Sequence, residues 1–331
     1  MDNLTHSLVG WALGRTGLED KTRKGLAALI LAANMPDIDV FFGWVGWAPL
    51  ATHRGFTHGL VGGVIVMPPL LAGLLLLLDR WQAARGSGFA DGLPMRVGWL
   101  VLLAYLGALT HPLLDLQTTY AVQLLAPFST TWFHTETLFI IDVWIWIGLA
   151  FAIWLSRRRE RAGRESWRRP AMAGLVVLCL YIGLNGAISL AARAALWRAV
   201  RPEVAFANEE PLSFWKRSLV WRAHGRIGRA SYDPVHGLHA WRVPVPDQMQ
   251  APLVRRAMTA TPDMVRFMRW STLPMARVIS HGCTATVMFS DARFGDPQPG
   301  NHFLREVTLQ APGPGCPDHP AAERKSTLSL R

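Results

Sequence analysis

The stretch VGWLVLLAYLGALTHPLLD, residues 97–115, decides the fold. It is uncharged from Val97 to Leu114, and His111 is its one interruption before Asp115. As a helix rising ~1.5 Å per residue it extends about 28 Å, close to the ~30 Å hydrocarbon core of a bilayer. An imidazole and a carboxylate four residues apart on one helical face, near the end of such a span, call for a specific partner, because ionisable groups at membrane depth are costly. Outward from this stretch, Leu60 to Leu78 and Ala171 to Ala192 are likewise uncharged and read as spans. Leu138 to Leu155 reads as a fourth, with Asp142 near its start, and the shorter runs Leu8 to Leu13 and Leu26 to Ala33 as a helical pair packed against the bundle.

Composition changes near residue 193. Residues 1–192 hold 15 Lys+Arg and 12 Asp+Glu, whereas residues 193–331 hold 19 and 11, so most of the net charge of +11 lies in the tail. The expected organisation is a membrane-embedded helical domain, 1–192, followed by a soluble domain, 193–331. The tail's Pro-rich connectors and alternating stretches such as Thr284-Ala285-Thr286-Val287-Met288-Phe289 predict α+β structure with a small sheet. The fold class is therefore mainly α: a polytopic helical membrane bundle with a periplasmic α+β C-terminal domain. The tail's arginines are scattered singly among Trp, Pro and Val, which argues against nucleic acid and for membrane lipids as the basic surface's partner.

Orientation follows from the short loops, because Lys and Arg accumulate on the cytoplasmic side. Arg157-Arg158-Arg159-Glu160-Arg161 with Arg168-Arg169 is placed inside, as are the arginines between Arg80 and Arg96, whereas residues 117–137 contain no Lys or Arg and are placed outside. Ala171 to Ala192 then runs outward and leaves the tail in the periplasm, so the protein is expected in a bacterial inner membrane. The start, Met1-Asp2-Asn3-Leu4-Thr5-His6, has no signal-peptide pattern. Cys179 lies in an apolar run and is expected to pack, while Cys283 and Cys316 could pair in an oxidising compartment.

With this topology all five histidines of the membrane half fall on outward-facing segments, four ahead of residue 115 and His134 in the outer loop. His6 begins the first helix. Asp37 and Asp39 follow the second in Met35-Pro36-Asp37-Ile38-Asp39, and His53 and His58 precede the Leu60 span in His53-Arg54-Gly55-Phe56-Thr57-His58. His111 and Asp115 close the Val97 span and Asp142 opens the next. Mixed imidazole and carboxylate donors suit a divalent ion, zinc first and manganese next. The expected ligands are His6, Asp37, Asp39, His53, His58, His111 and Asp115. Asp39 or Asp142 is expected to move a proton or orient a ligand, and Arg54 to clamp an anionic group or anchor a head group. His134 and Glu136 are weaker candidates, since nothing in the sequence fixes their approach, and the six tail histidines show no ligand spacing.

Thr5-His6 with Gly10, Pro36-Asp37-Ile38-Asp39, His53 to His58, His111-Pro112-Leu113-Leu114-Asp115, Thr118-Thr119-Tyr120, Pro127-Phe128-Ser129 and Ile140-Ile141-Asp142 together resemble the YdjM-like inner-membrane family over roughly residues 1 to 160. That resemblance implies metal-dependent hydrolysis; a more distant one links the pattern to zinc-dependent phospholipase C and P1-type nucleases. Two positions depart from it: Ala121 and Val143 stand where the family often has Gly and Pro. The expected activity is hydrolysis of a phosphoester or lipid substrate at the periplasmic face. The rival from another class is a non-catalytic, metal-binding membrane scaffold, whose ions would be closed off from substrate.

Overall fold

The computed structural model describes residues 1–42, 53–86, 89 and 92–311. Its first half is helical: α1 (Asn3–Leu13), α2 (Gly25–Asn34), α3 (Met67–Ala84), α4 (Val97–Asp115), α5 (Val143–Arg161) and α6 (Arg169–Val200). Among the described residues three helical segments are long and apolar enough to cross a membrane: Leu60–Ala84, where a π-helical turn leads into α3, Val97–Asp115, and Glu165–Val200. The fourth expected span starts at Val143 instead of Leu138, because the Asp142 side chain accepts from the Trp144 and Ile145 amides and so caps α5. That helix ends in the arginine run, which leaves it a shorter apolar stretch than the other three.

The short pair packs as expected. Asp2 caps α1 by accepting from the Leu4 and Thr5 amides, which directs Thr5 and His6 into the protein. Helix α2 lies between α1 and α4, and glycine makes both approaches possible. A Cβ at Gly10 would stand 2.9 Å from the Leu29 carbonyl oxygen, and one at Gly107 only 2.4 Å from the same atom. Gly107 is one turn before His111, so this close approach sets how far the α4 imidazole sits from the end of α2.

The C-terminal part is rich in strands. β1 (Val204–Glu209), β2 (Arg217–Ala223), β3 (Arg226–Asp233) and β4 (Gly237–Pro246) follow one another across one sheet. After the short helices α7 (Pro252–Ala257) and α8 (Pro262–Trp270), β5 (Pro274–His281), β6 (Thr284–Asp291) and β7 (Arg305–Gln310) form a second, with β6 antiparallel to both neighbours. Two compact units result. The first comprises Met1–Arg198 with Phe206–Leu219 and Ser231–His239, and the rest of the chain forms the second. In the second unit Trp270 of α8 stacks on Phe294 and Phe303, and Asp291 is buried against Arg293. Cys179 is exposed on α6, contrary to the packing role its apolar neighbourhood implies. The helix turns it away from the protein, where a lipid-facing apolar residue needs no protein partner. Cys283 is disulfide-bonded, and Cys316 lies outside the described residues.

Candidate metal centre

The segment after α2, Met35–Phe42, is 3-10 helical, and Pro36 stops α2 so that Asp37 and Asp39 turn back over the end of the bundle. From α4, one helical turn brings His111 and Asp115 to one face, both fully buried. His58 enters from the short turn Phe56–His58, also buried. Four donor atoms meet there. Asp37 Oδ1 lies 3.2 Å from His58 Nε2 and 3.4 Å from His111 Nε2. Asp115 Oδ2 lies 3.3 Å from His58 Nε2 and 3.4 Å from His111 Nε2.

These separations discriminate between two chemistries. A charge-assisted hydrogen bond is shorter, ~2.7–2.9 Å. Tetrahedral donors each ~2.0–2.1 Å from one ion stand about 3.3 Å from one another. The four edges match the second geometry. Moreover, each carboxylate oxygen faces two imidazole nitrogens at once, and His111 Nε2 and Asp115 Oδ2 are buried without any hydrogen-bond partner. Buried polar atoms are almost always paired, so orphans that converge on one point fit a cation.

The surroundings orient the donors. His111 Nδ1 is 2.6 Å from the Ala33 carbonyl, which fixes the tautomer that leaves Nε2 bare toward the centre. His58 Nδ1 faces Asp39 Oδ2 at 3.3 Å and Thr57 Oγ1 at 3.0 Å. Asp39 also accepts from the Arg54 amide and the Thr57 hydroxyl, and its Oδ1 is 2.8 Å from His53 Nδ1. Asp39, His53 and His58 thus make a second His/carboxylate group that shares His58 with the first. Burial alone would raise the Asp37 carboxyl, but the facing His111 and His58 imidazoles hold it well below the usual carboxylate range. Burial would lower His58, yet the carboxylates of Asp115, Asp37 and Asp39 push it up to about 10. The carboxylates thus favour positive charge at this point, whether carried by a proton or by a metal ion.

Other expected residues take different places. His6 stacks on His111 at 3.9 Å between ring centroids, and its Nε2 is 3.5 Å from Asp115 Oδ1, with both nitrogens unbonded. Arg54 is buried: its Nε lies 3.2 Å from Asp115 Oδ2 and its Nη1 donates to Thr118 Oγ1, while the guanidinium sits over the Tyr120 ring. Asp115 therefore has a cation beside it as well as the amino group of Met1. Asp142 stands apart from both groups. Its oxygens are taken by the start of α5 and by the Tyr181 hydroxyl, 3.0 Å away.

Two supporting groups were not legible in advance. The Ala33 carbonyl is backbone, and the role of Thr118 as the acceptor for Arg54 has no local sequence signal. Glu136 is fully buried, 2.6 Å from His134 Nδ1 and 3.3 Å from Arg193, and it accepts from the Ala207 amide. The His134–Glu136 pair is thus held by residues far along the chain. The two departures from the family pattern also have structural addresses. Ala121 has φ +79°, a region that favours glycine, and Val143 is the first residue of α5, where proline is favoured.

The model of the YdjM inner membrane protein family matches residues 1–192, more than half of the chain and all of the residues that build this centre. The chain belongs to the YdjM family. No curated protein and no solved structure matches it. Membership and the two His/Asp groups make it a polytopic inner-membrane protein with a centre suited to a divalent metal.

Proposed function

We propose that this YdjM protein is a membrane-bound, metal-dependent hydrolase acting on a phosphoester or lipid substrate at the periplasmic face. The observation that carries the reading is the set of four converging donors, Asp37 Oδ1, His58 Nε2, His111 Nε2 and Asp115 Oδ2, whose four carboxylate–imidazole separations have the lengths of tetrahedral edges around one ion. Zinc suits that donor set best, with manganese next. When bound, such an ion supplies Lewis-acid activation of water and of a phosphoryl or acyl oxygen.

The protein's own residues account for the rest. His6 offers a further donor beside Asp115. Arg54 is a positioning residue that holds the Asp115 carboxylate by its guanidinium and the Asp39 carboxylate by its amide. Asp39 orients His58 and His53 together. The His53 side chain is 24% exposed, the most open of the group, so it is the one placed to meet substrate and take a proton, with Asp39 behind it. The arginine pattern of the short loops supports an outer position for this rim and the tail, and the disulfide at Cys283 supports an oxidising compartment for the tail. The basic tail suits anionic lipid surfaces.

One observation favours a second reading. Four protein donors close a tetrahedral site, which is the habit of structural zinc. A metal-stabilised scaffold would bind the ion and raise thermal stability without turnover. The deciding experiment loads the full-length protein with zinc or manganese and assays phosphodiester and phospholipid hydrolysis, with His53→Ala beside it. Turnover lost in His53→Ala at unchanged metal content supports the hydrolase. Full metal occupancy with no turnover on any substrate supports the scaffold.

A further inference from the structure

At the start of α5 the first unit carries a second polar feature, separate from the metal centre. Asp142, Asn185, Glu209 and Glu210 line a niche of about 10 Å³, roughly the smallest space that holds one water-sized group. Its acceptors are rich and its donors few. Glu209 Oε2 accepts from the Thr119 hydroxyl, but Oε1 is buried with no hydrogen-bond partner. The buried Arg217 makes no hydrogen bond to it. Arg217 gives its donors to Ser189 Oγ, to the Phe214 and Lys216 carbonyls, and to the carbonyl and side-chain oxygens of Asn185. Among the described residues no carboxylate forms an ion pair with it. Burial pushes the Glu209 carboxyl up to about 8, a rise that the charge of Arg217 only partly opposes.

The niche opens beside an apolar groove. Trp144 and Phe214 line both, and the groove continues between α5 and α6 with a volume of about 470 Å³. Its walls run along α5 from Trp144 to Leu155 and along α6 from Tyr181 back to Pro170. Eleven helical steps of ~1.5 Å give about 16 Å, roughly half of a ~30 Å bilayer core, which is the depth of one leaflet. Gly148 lines the groove, and a Cβ there would meet nothing within 4 Å, so the space beside it is open. A small acidic niche joined to an apolar channel one leaflet deep matches a molecule with a compact cationic head and an acyl chain.

The geometry points to a binding site for an aminophospholipid of the bilayer, with its primary ammonium received by Glu209 and Glu210 and an acyl chain laid between α5 and α6. An ammonium offers three donors and is about the size of water, so it suits the niche in both respects. A trimethylammonium head has no N–H and is too large. The site is independent of the metal reading, since none of its residues belongs to either His/Asp group.

The test uses the full-length, detergent-purified protein, delipidated and titrated with phosphatidylethanolamine or phosphatidylcholine of identical acyl chains, read by native mass spectrometry and thermal shift. Because only phosphatidylethanolamine can form the ammonium–carboxylate hydrogen bond, it should be favoured by roughly tenfold or more, given ~1.5–3 kcal/mol for a hydrogen bond to a charged group. Glu209→Gln should remove the preference while leaving weak retention of both lipids. Gly148→Phe, which fills the groove, should reduce retention of both, with an unchanged melting temperature of the delipidated protein as the control for folding. Equal retention of the two lipids by the unmodified protein, or a preference that survives Glu209→Gln, would overturn the proposal.

Discussion

Replacing Asp39 by asparagine separates a residue that orients the centre from one that binds the ion. In the structure Asp39 Oδ2 accepts from the Arg54 amide at 3.1 Å and the Thr57 hydroxyl at 2.7 Å, and Oδ1 is 2.8 Å from His53 Nδ1. The backbone amide cannot become an acceptor, so the new carboxamide would keep its oxygen toward Arg54 and Thr57 and turn its NH2 toward His53. The shape survives, but the negative charge behind His53 and His58 is lost. Loss of an outer partner of a metal-binding histidine weakens affinity about 10- to 100-fold, or about 1.4–2.7 kcal/mol. Chelator competition on purified protein, with zinc as the probe, should therefore give Asp39→Asn a Kd raised by that factor at unchanged stoichiometry. If Asp39→Asn removes one ion of two, Asp39 is a ligand; if the Kd does not move, it supports nothing. Either result refutes the orienting role assigned to it.

Three further outcomes follow from particular residues. Cysteine labelling in a Cys179→Ser background should mark position 129 from the periplasm and position 166 only after permeabilisation; the reverse pattern would invert the arginine-based topology. Ala121→Gly should raise the melting temperature, because a non-glycine residue at positive φ costs ~1–2 kcal/mol, partly offset by the greater freedom of glycine in the unfolded chain; an unchanged or lowered value would show that Ala121 is unstrained. The third concerns Glu209, whose carboxyl lies near 8 in the folded protein against 4.5 unfolded, so the unfolded state releases the proton first and stability should fall as pH rises from about 4.5 to about 8. Glu136 and Arg217 face the same region, and a urea series across that window in aminolipid-free detergent should show a flatter slope for Glu209→Gln than for the unmodified protein.

Much of the centre could be read from spacing. His111 and Asp115 share a helical face by periodicity alone, and Pro36 announces that Asp37 and Asp39 leave the helix, so their convergence needed only the topology. The helical half was legible for the same reason, since uncharged runs of bilayer length leave few alternatives. What escaped depends on contacts that no local pattern encodes. Asp142 reads in the sequence as one more rim carboxylate, but it caps α5 and binds Tyr181, and a cap residue and a ligand are both simply an Asp before an apolar run. Arg54 reads as a surface clamp, whereas the structure buries it against Asp115 and Thr118. Its left-handed backbone, φ +62°, turns its side chain inward, and nothing in the sequence announces that turn. Glu136 and Glu209 are held by residues dozens of positions away, which is beyond any periodicity.

The central claim is that Asp37, His58, His111 and Asp115 hold one divalent ion, and elemental analysis of the purified full-length protein tests it most directly. The unmodified protein should carry at least one equivalent of zinc or manganese, and His111→Ala and Asp115→Ala should each lose it while remaining inserted and folded by thermal shift, with His319→Ala unaffected. An unmodified protein that takes up no divalent ion, or full occupancy in both His111→Ala and Asp115→Ala, would contradict the account.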